Sequence, residues 1–264
     1  MKRLVVFILI CCFAALTDAQ AKKQGKQEAS YNIIYIGNSI TAGALHADRE
    51  KTAPPVTTTE IVASKINKRK FDVAGFRNCG RSGATTVDFL PSMNRDFKRV
   101  EKSIADFKAN EHPNTKYLFS IMLGTNDSAS VGPTGAPVSN EDYKKNLLTI
   151  ISRLRELCPG ATFVLQRPIW YSPNTYNGAR YLVAGLNRMT DYITVLVELA
   201  NENPDVYLGD CESYDLFKHE YKKLMFAEAG NAGTFYLHPN EDGAVELSKN
   251  WAKAIVSTIK ASQR

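Results

Sequence analysis

The segment Ile33-Ile34-Tyr35-Ile36-Gly37-Asn38-Ser39-Ile40-Thr41 joins an apolar run to a small polar turn that carries a serine. Four large apolar residues followed by glycine and asparagine are typical of a buried strand that ends in a turn. The serine then lies beyond the carboxyl end of that strand. Because ligands bind at this edge of open α/β sheets, we interpret Ser39 as a candidate nucleophile.

Strand and helix signals alternate along the rest of the chain. Strand-like runs occur near 31–37, 71–78, 116–123, 161–167 and 205–209. Helical patterns occur near 56–69, 92–109, 140–157, 180–201, 211–228 and 241–261. Parallel strands need crossover connections, so this alternation predicts an α/β domain with a five-stranded parallel sheet between two layers of helices.

The first residues differ from the remainder. Met1-Lys2-Arg3 is basic, residues 4–16 are almost wholly apolar, and Thr17-Asp18-Ala19 resembles a cleavage site. This pattern predicts a signal peptide over 1–19 and an exported protein, with a polar, flexible leader over 20–30 and a single domain over 31–264. A lipid anchor on Cys11 or Cys12 is the less favoured alternative, because Leu9 and Ile10 are bulky. No second apolar stretch is long enough to span a membrane.

Composition excludes several classes of protein. The 264 residues are 44% hydrophobic and 23% charged, which is ordinary for a globular domain. The net charge is +6, and the densest basic cluster is Lys65, Lys68, Arg69 and Lys70, which we interpret as a solvated helix end and not a nucleic-acid site. Cys79, Cys158 and Cys211 remain after cleavage, an odd number that rules out complete internal pairing, and no Cys/His spacing fits zinc.

Three further motifs supply what a nucleophilic serine needs. His238, in Leu237-His238-Pro239-Asn240, is the candidate base that takes the Ser39 proton. The oxyanion that forms on ester attack needs hydrogen-bond donors already in place. We expect these from the backbone N–H groups of Ser39 and Gly83 and from the side-chain amide of Asn126, in Gly124-Thr125-Asn126-Asp127.

Taken together, these motifs resemble the SGNH hydrolases, also called GDSL-type esterases, over about residues 31–262. The matching blocks are Gly37-Asn38-Ser39-Ile40-Thr41, Ser82-Gly83, Gly124-Thr125-Asn126-Asp127 and His238-Pro239-Asn240, with Asn38 where many members have aspartate. The resemblance implies a flavodoxin-like sheet in the order 2-1-3-4-5, Ser39 as the acyl-accepting nucleophile, and neither metal nor organic cofactor.

One departure concerns the residue that orients the histidine. Members of this family usually carry an aspartate three residues before it, and that position is Phe235 here. Three explanations stay open: a backbone carbonyl holds His238 in a Ser-His dyad, a carboxylate from elsewhere substitutes, or the protein is catalytically weak or inactive. The candidate carboxylates are Asp210, Glu228, Glu241 and Asp242.

Two loops rich in turn-forming residues, 128–139 and 168–178, follow strand ends and are expected to lie over the site. The candidates for substrate contact are Asn38, Arg81, Asp127, Arg167, Trp170 and Tyr171. Aromatic faces and hydrogen-bonding cations suit sugars. We therefore predict an exported esterase that removes acetyl or another small acyl group from a carbohydrate. The alternatives are a lysophospholipase or thioesterase and a glycan-binding protein that has lost turnover.

Overall fold

The computed structural model describes residues 29–66 and 71–263, and its centre is a five-stranded parallel sheet. The strands are β1 (Ala29–Gly37), β2 (Phe71–Asn78), β3 (Thr115–Met122), β4 (Thr162–Leu165) and β5 (Val206–Leu208). Their order is β2-β1-β3-β4-β5, which confirms the predicted fold class and topology. β1 and β3 are buried over nearly their whole length, as expected for central strands covered on both faces.

Eight helices are described around this sheet. They are α1 (Ser39–Ala42), α2 (Arg49–Thr52), α3 (Pro54–Ile66), α4 (Phe97–Lys108), α5 (Asn140–Leu157), α6 (Leu182–Glu202), α7 (Glu212–Leu224) and α8 (Glu241–Ala261). α3 and α7 pack against α8, and α5 packs against α6, so the sheet lies between helical layers. α5 begins at a capping serine, because the Ser139 hydroxyl accepts the Asp142 N–H at 3.1 Å.

The helix predicted over 211–228 was wrong at its carboxyl end. α7 stops at Leu224, and a hairpin of two short strands follows, β6 (Glu228–Gly230) and β7 (Gly233–Phe235). Asn231 and Ala232 form the turn, next to Gly233 at a φ of +88°. Within the hairpin Glu228 lies directly opposite Phe235. This pairing places a carboxylate beside the position where the family pattern expects one.

Two other predicted bounds also differ. The helix predicted from residue 92 begins only at Phe97, because a 3-10 turn (Pro91–Met93) ends at Asn94 in the left-handed region. β1 begins at Ala29, which pairs with Phe71, so the last two residues assigned to the leader belong to the sheet. The predicted signal peptide and Lys68, Arg69 and Lys70 lie outside the described residues. Among the helices that are described, none has the length and apolarity needed to cross a membrane.

Candidate active site

Ser39 is the first residue of α1, directly beyond the carboxyl end of β1. The turn before it is tight, since a side chain at Gly37 would lie 2.0 Å from the Thr41 hydroxyl oxygen. The Asn38 side chain accepts the N–H of Ile40 at 2.9 Å and so caps α1. Asn38 itself is fully buried. The Asn38 side chain therefore stabilises the turn that carries Ser39, and the expectation that Asn38 contacts substrate is not met.

His238 lies against Ser39 although 199 positions separate the two residues in the chain. The distance between His238 Nε2 and Ser39 Oγ is 2.9 Å. The backbone around His238 is anchored, because its carbonyl accepts the N–H of Phe226 at 2.9 Å. Two residues later the Asn240 side chain accepts the N–H of Gly243 and caps α8. The structure thus brings together the predicted nucleophile and the predicted base.

Glu228 holds the other side of the His238 ring. Its Oε1 accepts from His238 Nδ1 at 2.9 Å and from the His238 backbone N–H at 3.2 Å. A carboxylate only accepts, so the ring proton is assigned to Nδ1. Nε2 is then left with its lone pair toward the Ser39 hydroxyl. Both side chains are mostly buried, with 10% of His238 and 15% of Glu228 exposed.

The other three carboxylates considered for this role lie elsewhere. Asp210 Oδ1 accepts the N–H groups of Glu212 and Ser213 at the start of α7, and burial raises the pKa of its carboxyl group. Glu241 and Asp242 lie exposed in the first turn of α8. Of the four candidates, Glu228 is the one whose carboxylate contacts His238.

Ser39 and Gly83 both line the cavity beside the Ser39 hydroxyl, and their backbone N–H groups are free of protein partners in the described part of the chain. The Ser39 N–H lacks an acceptor because Ser39 lies in the first turn of α1, where N–H groups have no intrahelical partners. Gly83 has a φ of +77°, a conformation that side chains disfavour and that lets the backbone approach a ligand closely.

The Asn126 side chain completes this set of donors. Its Nδ2 donates to the carbonyl of Ala84 at 2.9 Å, and its Oδ1 accepts from the Tyr181 hydroxyl at 2.6 Å. Because a carbonyl only accepts, the Ala84 contact fixes which end of the amide is nitrogen. The second hydrogen of Nδ2 is then available to the cavity. Tyr181 was missed from the sequence, where nothing distinguishes it from other buried tyrosines.

Asp127 has a structural position. Its side chain is fully buried, and its Oδ1 accepts the N–H of Thr86 at 2.8 Å and also contacts the Thr86 hydroxyl. Burial raises the pKa of Asp127 to about 6. The expectation of substrate contact was wrong because this buried carboxylate ties the loop after β2 to the loop after β3.

Arg167, Trp170 and Tyr171 also fail the expectation of substrate contact. The Arg167 guanidinium stacks 3.8 Å from the centre of the Tyr214 ring. Trp170 is 7% exposed and lies against Tyr221, and the buried Tyr171 bonds through its hydroxyl to Ser128. Trp170 and Tyr171 belong to the buried core, since large aromatic surfaces are stabilised by burial, and Arg167 is half-buried against the Tyr214 ring.

Arg81 points away from the cavity as well. Its Nε donates to Asp96 at 2.5 Å, and its Nη2 lies 2.7 Å from a carboxylate oxygen of Asp88. Both carboxylates are buried. The cation is therefore held in an ion-pair cluster beneath the loop that carries Gly83.

These groups surround one cavity of about 570 Å³. Ser39, Gly83, Asn126 and His238 all line it. Each loop predicted to cover the site contributes to the wall: Gly132 and Pro133 come from 128–139, and Asn177 and Gly178 come from 168–178.

The loop over 168–178 also braces the hairpin of β6 and β7. The Ser172 hydroxyl accepts the N–H of Tyr236 at 2.8 Å, and the Ser172 N–H donates to the Tyr236 carbonyl. Asn174 donates through Nδ2 to the carbonyl of Thr234 at 2.7 Å. Because Glu228 belongs to this hairpin, the loop helps to fix the carboxylate that holds His238.

The parallel sheet and the serine–histidine pair at its carboxyl edge are those of an SGNH-type ester hydrolase. The chain belongs to the GDSL-like lipase/acylhydrolase family, whose sequence model matches residues 35–245. No curated protein sequence matches the chain.

Solved structures share the fold at low sequence identity. A carbohydrate acetylesterase from Sinorhizobium meliloti is 13% identical, with a TM-score of 0.56 over 86% of this chain and 99% of that one. An acetylxylan esterase from Geobacillus stearothermophilus is 19% identical, with a TM-score of 0.54 over 89% and 96%. A lipase/acylhydrolase from Enterococcus faecalis is 19% identical, with a TM-score of 0.52 over 86% and 96%. At these identities the similarity shows the fold alone.

Proposed function

We propose that this protein is an exported carbohydrate esterase that removes acetyl or another small acyl group through an acyl-serine intermediate on Ser39. The observation that carries the proposal is the chain of contacts from Glu228 through His238 to Ser39, in a cavity that Ser39, Gly83 and Asn126 also line. These are the groups that ester hydrolysis by a serine requires.

In the first step the Ser39 oxygen attacks the acyl carbon while His238 Nε2 takes the hydroxyl proton. The carbonyl oxygen becomes an oxyanion, which accepts hydrogen bonds from the N–H groups of Ser39 and Gly83 and from Asn126. The carbon–oxygen bond to the sugar then breaks, and the sugar oxygen leaves with the proton from His238. A water molecule attacks the acyl-serine with His238 again as base, which releases the carboxylic acid and restores Ser39.

Glu228 acts on the histidine and not on the substrate. Its contact with Nδ1 keeps the proton on that nitrogen, so that Nε2 is the basic one. When His238 becomes an imidazolium, the adjacent carboxylate stabilises the positive charge. Glu228 therefore takes the place of the aspartate that the family pattern expects at Phe235.

The cavity suits an uncharged substrate. The lining residues include one carboxylate, Glu228, and neither lysine nor arginine among those that the structure describes. The two cations expected near substrate, Arg81 and Arg167, are engaged with Asp96 and Tyr214. An acetylated neutral sugar would meet no opposing charge there, whereas an anionic phospholipid headgroup would lie beside Glu228 without a compensating cation.

Hydrolysis of p-nitrophenyl acetate by purified protein tests the proposal. We expect turnover by the wild type and its loss in Ser39→Ala, with full activity in Ser64→Ala, whose hydroxyl is exposed on α3. Mass spectrometry of acetylated oligosaccharides incubated with the protein should then show products that have lost one or more acetyl groups. A wild type that hydrolyses neither short esters nor sugar esters would refute the enzymatic proposal.

Two further measurements distinguish the alternatives. A series of p-nitrophenyl esters of increasing chain length should favour acetate, and a preference for long chains would point to lysophospholipase or thioesterase action. A fluorophosphonate should label Ser39, since an activated serine reacts with it. Absence of labelling together with measurable glycan binding would point to a binding protein without turnover.

Export belongs to the same proposal, with residues 1–19 as the signal peptide and a hydrolase domain that begins with β1 at Ala29. The apolar run after Met1-Lys2-Arg3 supports it. Amino-terminal sequencing of protein recovered from outside the cytoplasm should begin near Gln20. A product that retains Met1 would contradict the proposal.

A further inference from the structure

We propose that Arg81 is a positioning residue, which aims the backbone N–H of Gly83 at the oxyanion by holding the carbonyl of Ser82. This inference rests on the proposed esterase function. It assigns to Arg81 a role different from the substrate contact that its place in the motif suggests.

The guanidinium of Arg81 makes three contacts that use different nitrogens. Nη1 donates to the Ser82 carbonyl oxygen at 2.9 Å, Nε donates to Asp96 Oδ2 at 2.5 Å, and Nη2 lies 2.7 Å from Asp88 Oδ2. Planar guanidinium is a rigid fork, so fixing two nitrogens also fixes the direction of the third. The arm that reaches Ser82 is therefore set by the two carboxylates.

Those carboxylates are themselves anchored. The Asp88 side chain is completely buried, and 4% of the Asp96 side chain is exposed. Asp88 Oδ2 also accepts the N–H of Thr85 at 3.0 Å, which ties it to the same loop. Buried carboxylates are weakly screened and need a cation nearby, so the cluster holds Arg81 more firmly than a surface ion pair would.

The geometry of the peptide bond transmits this hold to Gly83. The Ser82 carbonyl and the Gly83 N–H belong to one planar trans peptide, in which the two groups point in opposite directions. Arg81, which does not line the cavity, donates to the Ser82 carbonyl. The Gly83 N–H points the opposite way, which is toward the cavity that Ser82 and Gly83 line. A turn closed by the Ala84 N–H and the Arg81 carbonyl, at 3.1 Å, supports this orientation.

The positive charge adds an electronic effect to the geometric one. A cationic donor on a carbonyl polarises the peptide, and polarised groups in a hydrogen-bonded chain strengthen one another. The Gly83 N–H is thereby a better donor toward a developing negative charge. The effect is largest in the transition state, where the oxyanion forms, so it should appear in kcat more than in KM.

Arg95 offers a matched control in the same cluster. Its Nη2 lies 3.0 Å from Asp88 Oδ1 and its Nε 3.9 Å from Asp96 Oδ2, so it neutralises the same carboxylates. About half of its side chain is exposed, and within the described residues it makes no contact with Ser82. Arg95→Lys therefore alters the contacts of the same ion-pair cluster, as Arg81→Lys does, without touching the Ser82–Gly83 peptide.

The test compares Arg81→Lys and Arg95→Lys with the wild type on p-nitrophenyl acetate. Lysine keeps the charge but lacks the second arm, so Arg81→Lys should lower kcat by about 10- to 100-fold, part of the loss caused by removing an oxyanion donor. KM should change little. Arg95→Lys should keep the wild-type kcat, and thermal melting should show similar stability for the two variants.

The double variant Arg81→Gln/Asp96→Asn keeps the inference testable if Arg81→Lys does not fold, because it removes a cation and an anion together. A folded Arg81 variant with wild-type kcat, while the wild type itself is active and Ser39→Ala is not, would overturn the role of Arg81 alone. A wild type that neither hydrolyses esters nor reacts with fluorophosphonate would overturn the proposed function and this inference together.

Discussion

Replacing Glu228 tests the contact on which the proposed mechanism most depends. Glu228→Gln keeps the size of the side chain and a carbonyl oxygen but removes the charge, and Glu228→Ala removes both. Glu241→Gln is the matched control, since that carboxylate is exposed on α8 and has no described contact with His238. The three variants separate loss of charge from loss of contact and from a general effect of losing an acidic residue.

The expected loss follows from the distance and the burial of the pair. Opposite charges about 4 Å apart attract by about 4 kcal/mol at an effective dielectric constant near 20. The 2.9 Å contact and the small exposed fractions of both side chains leave little room for screening by solvent. Water that enters a truncated site recovers part of the loss, which leaves about 3 kcal/mol, or about a 100-fold fall in kcat.

Saturation kinetics on p-nitrophenyl acetate, with melting curves for each variant, measure this effect. We expect KM to change little, because the carboxylate acts on the imidazolium that forms after substrate has bound. Glu228→Gln and Glu228→Ala should both be slow, and Glu241→Gln should match the wild type. If Glu228→Ala kept a kcat within about threefold of the wild type, a dyad oriented by the backbone would replace the proposed triad.

Three further results are expected. Asn126→Ala should lower kcat by about 100- to 1000-fold. Tyr181→Phe removes one restraint on the Asn126 amide and should lower kcat by less. Equal kcat values for Asn126→Ala and the wild type would contradict the assignment of the oxyanion donors. Because the pKa of Asp127 is raised to about 6 in the folded protein, its contribution to stability is lost as pH rises through that value. Relative to Asp127→Asn, the wild-type unfolding free energy should fall by about 2 kcal/mol between about pH 4 and pH 7 in denaturant titrations, and a constant difference would refute the assigned burial. Ser139→Ala should cost about 1 kcal/mol of stability and leave kcat unchanged, which melting and kinetics on one preparation can check.

The fold could be predicted because its signals are local and repeated. The apolar run Ile33–Ile36 indicates a buried strand without knowledge of the element that covers it. Along α5 the buried residues Tyr143, Leu147, Ile150 and Leu154 recur at helical spacing, which indicates a buried helix face in the same way. Strand order followed from the resemblance to a family. The hairpin of β6 and β7 was missed because three-residue strands are too short to show periodicity, and the residues before it continue a helical pattern.

The site residues that lie in a short sequence motif could be predicted. The residues whose role depends on contacts between distant parts of the chain could not. Ser39 and His238 stand out by their neighbours in sequence, whereas choosing Glu228 among four carboxylates required the pairing of Glu228 with Phe235. Trp170 and Arg167 have the composition of a sugar-binding loop, but their surroundings are apolar packing and a tyrosine ring. The type of a side chain indicates which ligands it could bind, but the fold determines whether that side chain contacts a ligand or other residues of the protein.

The contact between Glu228 and His238 depends on the strand register of the β6–β7 hairpin. Side chains alternate between the two faces of a strand, so sliding one limb by a single residue would turn the Glu228 carboxylate away from the imidazole. The two-residue turn at Asn231 and Ala232 sets that alignment, while Gly230 has no room for a side chain against the Tyr176 carbonyl and the Phe235 ring. In the family pattern, with an aspartate three residues before the histidine, the short sequence separation limits how far apart the two groups can lie. In this chain a longer turn between β6 and β7, far from Ser39, would be enough to separate Glu228 from His238.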